Sequence, residues 1–363
     1  MAVGGGGIGT DGPKRAPAAI ELVIQALKSV PGGAADVRAV VNGLFGDALV
    51  EQESSLAIPM TFRTASGGEL PLDHDGLERA LPNAGARLCL LVHGLMSSES
   101  VWRFAGRPEL TYGELLARQW GVSPVYVRYN TGRHISTNGR ELAAGLQRLV
   151  RAWPVRVREI DLIGHSMGGL VIRSACHYGR AGATLRDRLR RRGPWPGKVK
   201  RVVLLGVPNN GANLEVIANL TSAALWSVPI PLTRLIGAGL DRRSEGIKDL
   251  RWGAVLDEDW VERDPDATER PERNRVRVPG HAEYLAIAGS LADQRDTDGP
   301  HPVNRLLGDA LVTAPSAQGR LGNDEPALFP NATIRLCPKI SHIALANRPE
   351  VYDEITRWWH ATC

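Results

Sequence analysis

The sequence predicts an α/β fold: a doubly wound, mostly parallel sheet with an inserted cap. Six short apolar runs recur between residues 87 and 338, and helical periodicity fills several of the intervals between them. Several of the runs are unbroken stretches of β-branched residues and leucine rather than alternating ones. A strand covered by helices on both faces shows no polar side, so it reads as a continuous apolar run. Alternation of such runs with helical segments over about 250 residues is the pattern of a doubly wound sheet.

The elements follow in order. Residues 1–17 are rich in Gly and Pro and read as a flexible tail. Residues 20–28 and 35–50 space their apolar positions as helices do, separated by Pro31-Gly32-Gly33. Residues 56–63 alternate like a strand. The runs 87–93, 122–129, 159–164, 200–207, 283–288 and 332–338 are the expected buried strands. Helical periodicity marks 142–152, 170–177 and 349–359, and Asn138 with Glu141 offers a capping box at the start of the first. No internal repeat is present.

Residues 213–280 break the alternation. They begin apolar (Leu225, Trp226, Ile230, Leu235) and become densely charged from Asp241 to Arg277, over a length no loop in such a fold needs. The segment reads either as a helical cap followed by a solvated excursion or as an ornamental insertion. The expected organisation is a tail and helical extension at 1–80, core at 81–212, cap at 213–280 and core again at 281–363.

Composition excludes several classes. Of 363 residues 43% are hydrophobic and 23% charged, too apolar for global disorder. Lys and Arg exceed Asp and Glu by 44 to 39, a net charge of +5 without a basic face, so no nucleic-acid partner is expected. The basic run Arg186, Arg188, Arg190, Arg191, Arg192, Lys198, Lys200 and Arg201 reads as a solvated face, with anionic lipid headgroups or nucleic acid as the alternative. Cys89, Cys176, Cys337 and Cys363 are scattered, which argues against a disulfide framework or a zinc site. No apolar segment follows a basic start, and Glu215, Arg234 and two prolines interrupt the stretch 212–240. A cytoplasmic protein without a membrane span is the expectation.

Chemistry concentrates in Gly164-His165-Ser166-Met167-Gly168-Gly169, at the junction of a predicted strand and helix. A serine on so sharp a turn stands above the strand ends, and its neighbours at minus two and plus two must be small to avoid collision. The turn also aims the Met167 N–H and the helix N-terminus at negative charge forming beside Ser166. The motif resembles the nucleophile elbow of the α/β-hydrolases, in particular the lipase and esterase branch, with similarity from about Arg87 to Trp359 and residues 1–80 outside it.

That resemblance implies an α/β-hydrolase fold and a set of roles. His93-Gly94 closes the strand 87–92, so Leu95 supplies one oxyanion-hole amide and Met167 the other; His93 itself reads as shaping the loop. The family places its base near the C-terminus, where His342 follows the last predicted strand, with His281 and His301 as the remaining candidates. Gly308-Asp309-Ala310-Leu311-Val312 is similar to the N-D-G-L-V segment that carries the acid in bacterial lipases, with Ala310 where that pattern has glycine. Asp309 is therefore the expected acid and Asp298 the reserve. Gly206-Val207-Pro208-Asn209 resembles the family's G-T-P-H turn and reads as a lead into the cap. The loop from Tyr129 to Ser136, and Trp102 with Phe104, are candidate site walls.

The expected activity is hydrolysis of carboxylic esters, including lipid-like ones, through an acyl-enzyme, with no metal or organic cofactor. A small-molecule ester is the expected partner, and a lipid interface is left open. Acyl transfer or amide cleavage by the same residues is the nearest alternative. A silent member of the family used as a binding protein is the other.

Overall fold

The computed structural model describes residues 34–181, 194–212, 243–261, 279–290 and 328–362, with positions 217, 218, 221, 274 and 276 between them. Helix α1 (Ala34–Glu51) precedes the edge strand β1 (Thr61–Arg63) and helix α2 (His74–Ala80). Then come β2 (Arg87–Val92), a small hairpin of β3 (Arg103–Phe104) and β4 (Arg107–Thr111), α3 (Tyr112–Trp120), β5 (Ser123–Arg128), α4 (Ile135–Ala152), β6 (Glu159–His165) and α5 (Met167–Ala181). The chain continues through β7 (Val199–Leu205), α6 (Glu245–Trp252), β8 (Glu283–Ser290), β9 (Thr333–Pro338) and α7 (Pro349–Ala361).

Seven strands form one sheet in the order β1-β5-β2-β6-β7-β8-β9. Only the β1–β5 pair is antiparallel. The continuous apolar runs are explained directly. In β2, Leu88, Leu90 and Val92 enter one hydrophobic cluster while Cys89 and Leu91 enter the other. Val202 and Leu204 against Val203 and Leu205 of β7 divide the same way, as do Ala286 and Ala288 against Leu285 and Ile287 of β8. Successive side chains of a strand point to opposite faces, and both faces here are covered. Helices α1, α4 and α5 supply the first cluster; α3 and α7 supply the second.

Three local expectations are corrected. Helix α4 begins at Ile135, so Asn138 and Glu141 form no capping box: Asn138 is buried within the helix and its Nδ2 donates to Asn130 O at 2.9 Å, while Glu141 pairs with Arg133. Asp249 of α6 caps the helix instead, accepting the Ile135 N–H at 2.8 Å. A partner 114 positions away is invisible to a local pattern. Only residues 61–63 of the predicted strand 56–63 pair, because Arg38 of α1 takes the carbonyls of Ser55, Leu56 and Ala57 at 2.7–2.9 Å. Arg201 does not belong to a solvated face: it is fully buried, held by Asp161 and by Thr362 O, with its guanidinium over the Trp359 ring. Residues 182–193, which carry most of that basic run, lie outside the described residues, as do the predicted helix 20–28 and most of 213–280.

Helix α1 is integrated into the core rather than appended to it. Val37, Val40, Val41, Leu44, Phe45 and Leu49 share the cluster of the central strands. The helix kinks at Phe45 (φ −132°, ψ 16°), and the carbonyls near the kink find partners outside the helix. Gly43 O accepts from Ser244 Oγ at 2.7 Å and Gly46 O from Asn130 Nδ2 at 2.9 Å. Cys89, Cys176 and Cys337 are buried. Among the described residues no helix is long and apolar enough to cross a membrane, and no cluster of His, Cys, Asp or Glu could hold a metal ion.

Candidate active site

Parallel strands end together, so the loops following β2, β6, β7 and β9 converge at one edge of the sheet. Four non-glycine residues in the described chain have positive φ, and three of them sit on these loops: Met96 after β2 (+56°), Ser166 after β6 (+53°) and Lys339 after β9 (+56°). Such a conformation costs about 1–3 kcal/mol per residue and persists only where surrounding structure enforces it.

The enforcement is visible at each loop. Ser166 N donates to Leu205 O of β7 at 2.8 Å, and Gly169 N closes the first turn of α5 onto Ser166 O at 3.0 Å. A Cβ on Gly164 would lie 2.7 Å from Gly169 Cα, and one on Gly94 would lie 2.8 Å from Ser166 Cβ. The glycines thus permit the crossing of two turns. Met96 N donates to Thr131 Oγ1 at 3.1 Å, fixing the loop that carries Leu95. Met167 is the first residue of α5, where N–H groups have no partner within the helix.

His342 lies three residues beyond Lys339, between β9 and α7. It is buried, and its Nε2 has no hydrogen-bond partner among the described residues. His165 Nε2 donates to His342 O at 2.9 Å, and this leaves the His165 Nδ1 unprotonated. Gly206 adopts φ +58° beside the imidazole, where a Cβ would come within 2.9 Å of His342 Nδ1. Ser166, His165, His342, Leu95 and Met96 line one cavity of about 310 Å³, which α1 enters with Asp36 and Val40.

The structure therefore brings Ser166, His342 and Leu95 to one cavity, with Met167 directly behind the serine. Asp309, Asp298 and His301 lie outside the described residues. His281 precedes β8, at the opposite end of the parallel strands from Ser166. His93 is fully buried, stacks on Tyr129 with ring centroids 4.5 Å apart and places Nδ1 3.0 Å from Gly94 O, an arrangement that shapes the loop. His134, the residue before α4, places its Nδ1 3.1 Å from the Asp249 carboxylate and stacks on Trp260.

The candidate walls resolve differently. Trp102 is fully buried and Phe104 packs on Tyr112 and Tyr352, so both belong to the core beneath the site. Of the loop from Tyr129 to Ser136, Thr131 buttresses Met96 and does not face the cavity. No pattern in the sequence singles out Thr131, Asp36 or Val40, because each acts through contacts with distant segments.

The alpha/beta hydrolase family model matches residues 89–354, from β2 into α7. The chain belongs to the alpha/beta hydrolase family. Among solved structures this hydrolase is similar to the mature lipase BlEst2 of Bacillus licheniformis, at 18% identity over 74% of this chain and 90% of that one, with a TM-score of 0.43. It is also similar to esterase B of Lactobacillus rhamnosus (13% identity, 76% and 75% coverage, TM-score 0.36). A thermophilic esterase of Thermogutta terrifontis matches at 12% identity over 77% of this chain and 91% of that one, with a TM-score of 0.37. No curated protein sequence matches the chain.

Burial also sets how this alpha/beta hydrolase responds to acid. It pushes His93 and His165 down from 6.5 to about 4, against opposing pulls from the carbonyls of Gly94 and His342. Burial, and then the neighbouring His165, pushes His342 well below its ordinary range. Between about pH 6.5 and 4 the unfolded chain binds protons that these rings refuse, so stability falls as pH drops through that window. His93 and His165 account for about 3 kcal/mol each once the window is crossed. Asp161 works in the opposite sense: burial pushes its carboxyl up to about 6 despite Arg201 and Arg87, so the native state takes up that proton first. Urea unfolding is expected to show a lower midpoint at about pH 4.5 than at pH 7, with His93→Gln narrowing the gap by about 2 kcal/mol. A midpoint as high at pH 4.5 would contradict neutral buried rings.

Proposed function

We propose that this alpha/beta hydrolase is a serine esterase. The observation that carries the reading is Ser166, held at φ +53° between β6 and α5 in the same cavity as a buried His342 whose Nε2 has no partner among the described residues. In this reading Ser166 Oγ attacks the ester carbonyl carbon and His342 takes the serine proton. The amides of Leu95 and Met167 receive the oxyanion, and the imidazolium returns the proton to the departing alcohol. Water, deprotonated by the same imidazole, then releases the acid and restores Ser166. Asp309, with Asp298 in reserve, orients His342 and stabilises its charged form. Residues 81–212 and 281–363 build the core together with α1, with 213–280 as cap.

The cavity of about 310 Å³ suits small esters and short acyl chains. A fluorophosphonate probe is expected to label the protein at Ser166, located by peptide mass spectrometry. Ser166→Ala is expected to lose the adduct together with p-nitrophenyl butyrate hydrolysis, by about 10⁵–10⁶-fold in kcat. A protein that takes no adduct would instead be a silent binding member of the family. Products formed with an added alcohol separate hydrolysis from acyl transfer.

A further inference from the structure

Among the described residues that line the cavity, one side chain is formally charged, and it comes from outside the segment that matches the family. Asp36 sits in the first turn of α1, more than fifty residues before the family match begins at residue 89. It lines the cavity together with Val40, Ser98, Ser100, Ser166 and His342. Its Oδ1 accepts from Ser98 Oγ at 2.6 Å and from Ser100 Oγ at 2.7 Å, and its Oδ2 takes no hydrogen bond among the described residues. The two hydroxyls fix the carboxylate without neutralising it. Glu99, between them in sequence, is committed to Arg128 and adds no free charge.

The segment that presents Asp36 is rigidly placed. Gly43 of α1 packs so closely on the oxyanion loop that a Cβ there would fall 2.3 Å from Met96 Cγ, and a Cβ on Gly132 would fall 2.1 Å from Asn42 O. Ser244 and Asn130 hold the carbonyls at the kink, and Arg38 and Asn42 hold residues 55–58. Helix α1 cannot shift without shifting the loop that carries Leu95.

From this arrangement we infer that Asp36, fixed by Ser98 and Ser100, is a specificity residue that selects substrates bearing a positive charge, such as an ammonium group on the part of the ester beside α1. The inference rests on the esterase reading above and names its substrate class. It also runs against the field of the whole chain: a net charge of +5 favours anions, so any preference for cations has to arise locally. An exposed carboxylate acting across a few ångströms of water gives a preference of about three- to tenfold, reduced by salt.

The test compares two probes of equal shape, O-alkyl p-nitrophenyl methylphosphonates carrying either a 2-(trimethylammonio)ethyl or a 3,3-dimethylbutyl group. In each, an Oγ–P bond forms at Ser166 as p-nitrophenolate departs with its electron pair, and the serine proton passes to His342. The unmodified protein is expected to be inactivated about fivefold faster by the cationic probe in low salt, with the ratio falling towards one near 0.5 M NaCl. Asp36→Asn is expected to bring the ratio to about one, Asp36→Lys to invert it and Asp36→Glu to restore most of it. A merely structural role would slow both probes together and leave the ratio unchanged. A ratio at or below one in the unmodified protein, or one that Asp36→Asn leaves in place, overturns the inference while the esterase reading stands. If neither probe labels Ser166, the esterase reading has failed and the selectivity falls with it.

Discussion

His342→Gln is expected to lower kcat for p-nitrophenyl butyrate by about 10⁵–10⁶-fold and to leave the melting temperature within a few degrees. Glutamine roughly fills the space of the imidazole beside Gly206 and Leu345 but cannot accept the serine proton. The contact that ties this loop to the elbow survives, because His165 Nε2 donates to the backbone carbonyl of residue 342 and not to its side chain. Loss of activity and loss of fold are therefore separable at this position. Turnover within tenfold of the unmodified protein would remove His342 as the base. The same assay ranks the acids: Asp309→Ala is expected to cost about 10⁴ in kcat and Asp298→Ala far less. The reverse order transfers the role to the reserve.

Gly168→Ala is expected to destabilise the protein by about 4 kcal/mol, a fall of about 5 °C in melting temperature for a chain of this length. A Cβ at this position would lie 2.2 Å from Val92 O, 2.4 Å from His93 O and 2.8 Å from Val92 C. These atoms end β2, which is paired on both sides by β5 and β6, so neither the strand nor the first turn of α5 has room to retreat. Any fraction that folds is also expected to lose the proposed hydrolysis of p-nitrophenyl butyrate, since relief of the clash moves Ser166 away from the loop carrying Leu95. Gly197→Ala is the control: nothing lies within 4 Å of a Cβ there, and a change below about 0.5 kcal/mol is expected. Equal melting temperatures for the two variants would contradict the close crossing of α5 over β2.

The legible features were those that the chain must encode locally. A strand buried on both faces has to be apolar throughout, so β2, β6, β7 and β8 appear as runs close to their observed lengths. A serine forced to positive φ between close-packed backbones needs glycine on either side, so the elbow is written in consecutive letters. That His342 shares a cavity with Ser166 was reachable because a parallel sheet collects the loops after its strands at one edge. Errors followed non-local partners. Helix α4 starts at Ile135 because Asp249 caps it from afar, and Arg201 is interior because Asp161 and Thr362 receive it. Trp102 and Phe104 resemble site walls in the sequence, yet they pack beneath the site with Tyr112 and Tyr352.

By itself the sequence determined the sheet, its two-sided covering, the elbow and the family, because periodicity, glycine placement and apolar runs are properties of neighbouring residues. Only the tertiary structure decided that α1 belongs to the core and that Asp36 enters the cavity of Ser166 and His342. Helix α1 lies before the family match, and a helix buried on nearly every side carries no one-sided pattern to say which surface it packs on. Contact with Met96, Ser98 and Asn130 depends on chain closure over about 50 to 85 residues, and the entropy of such closure leaves no mark in local pattern.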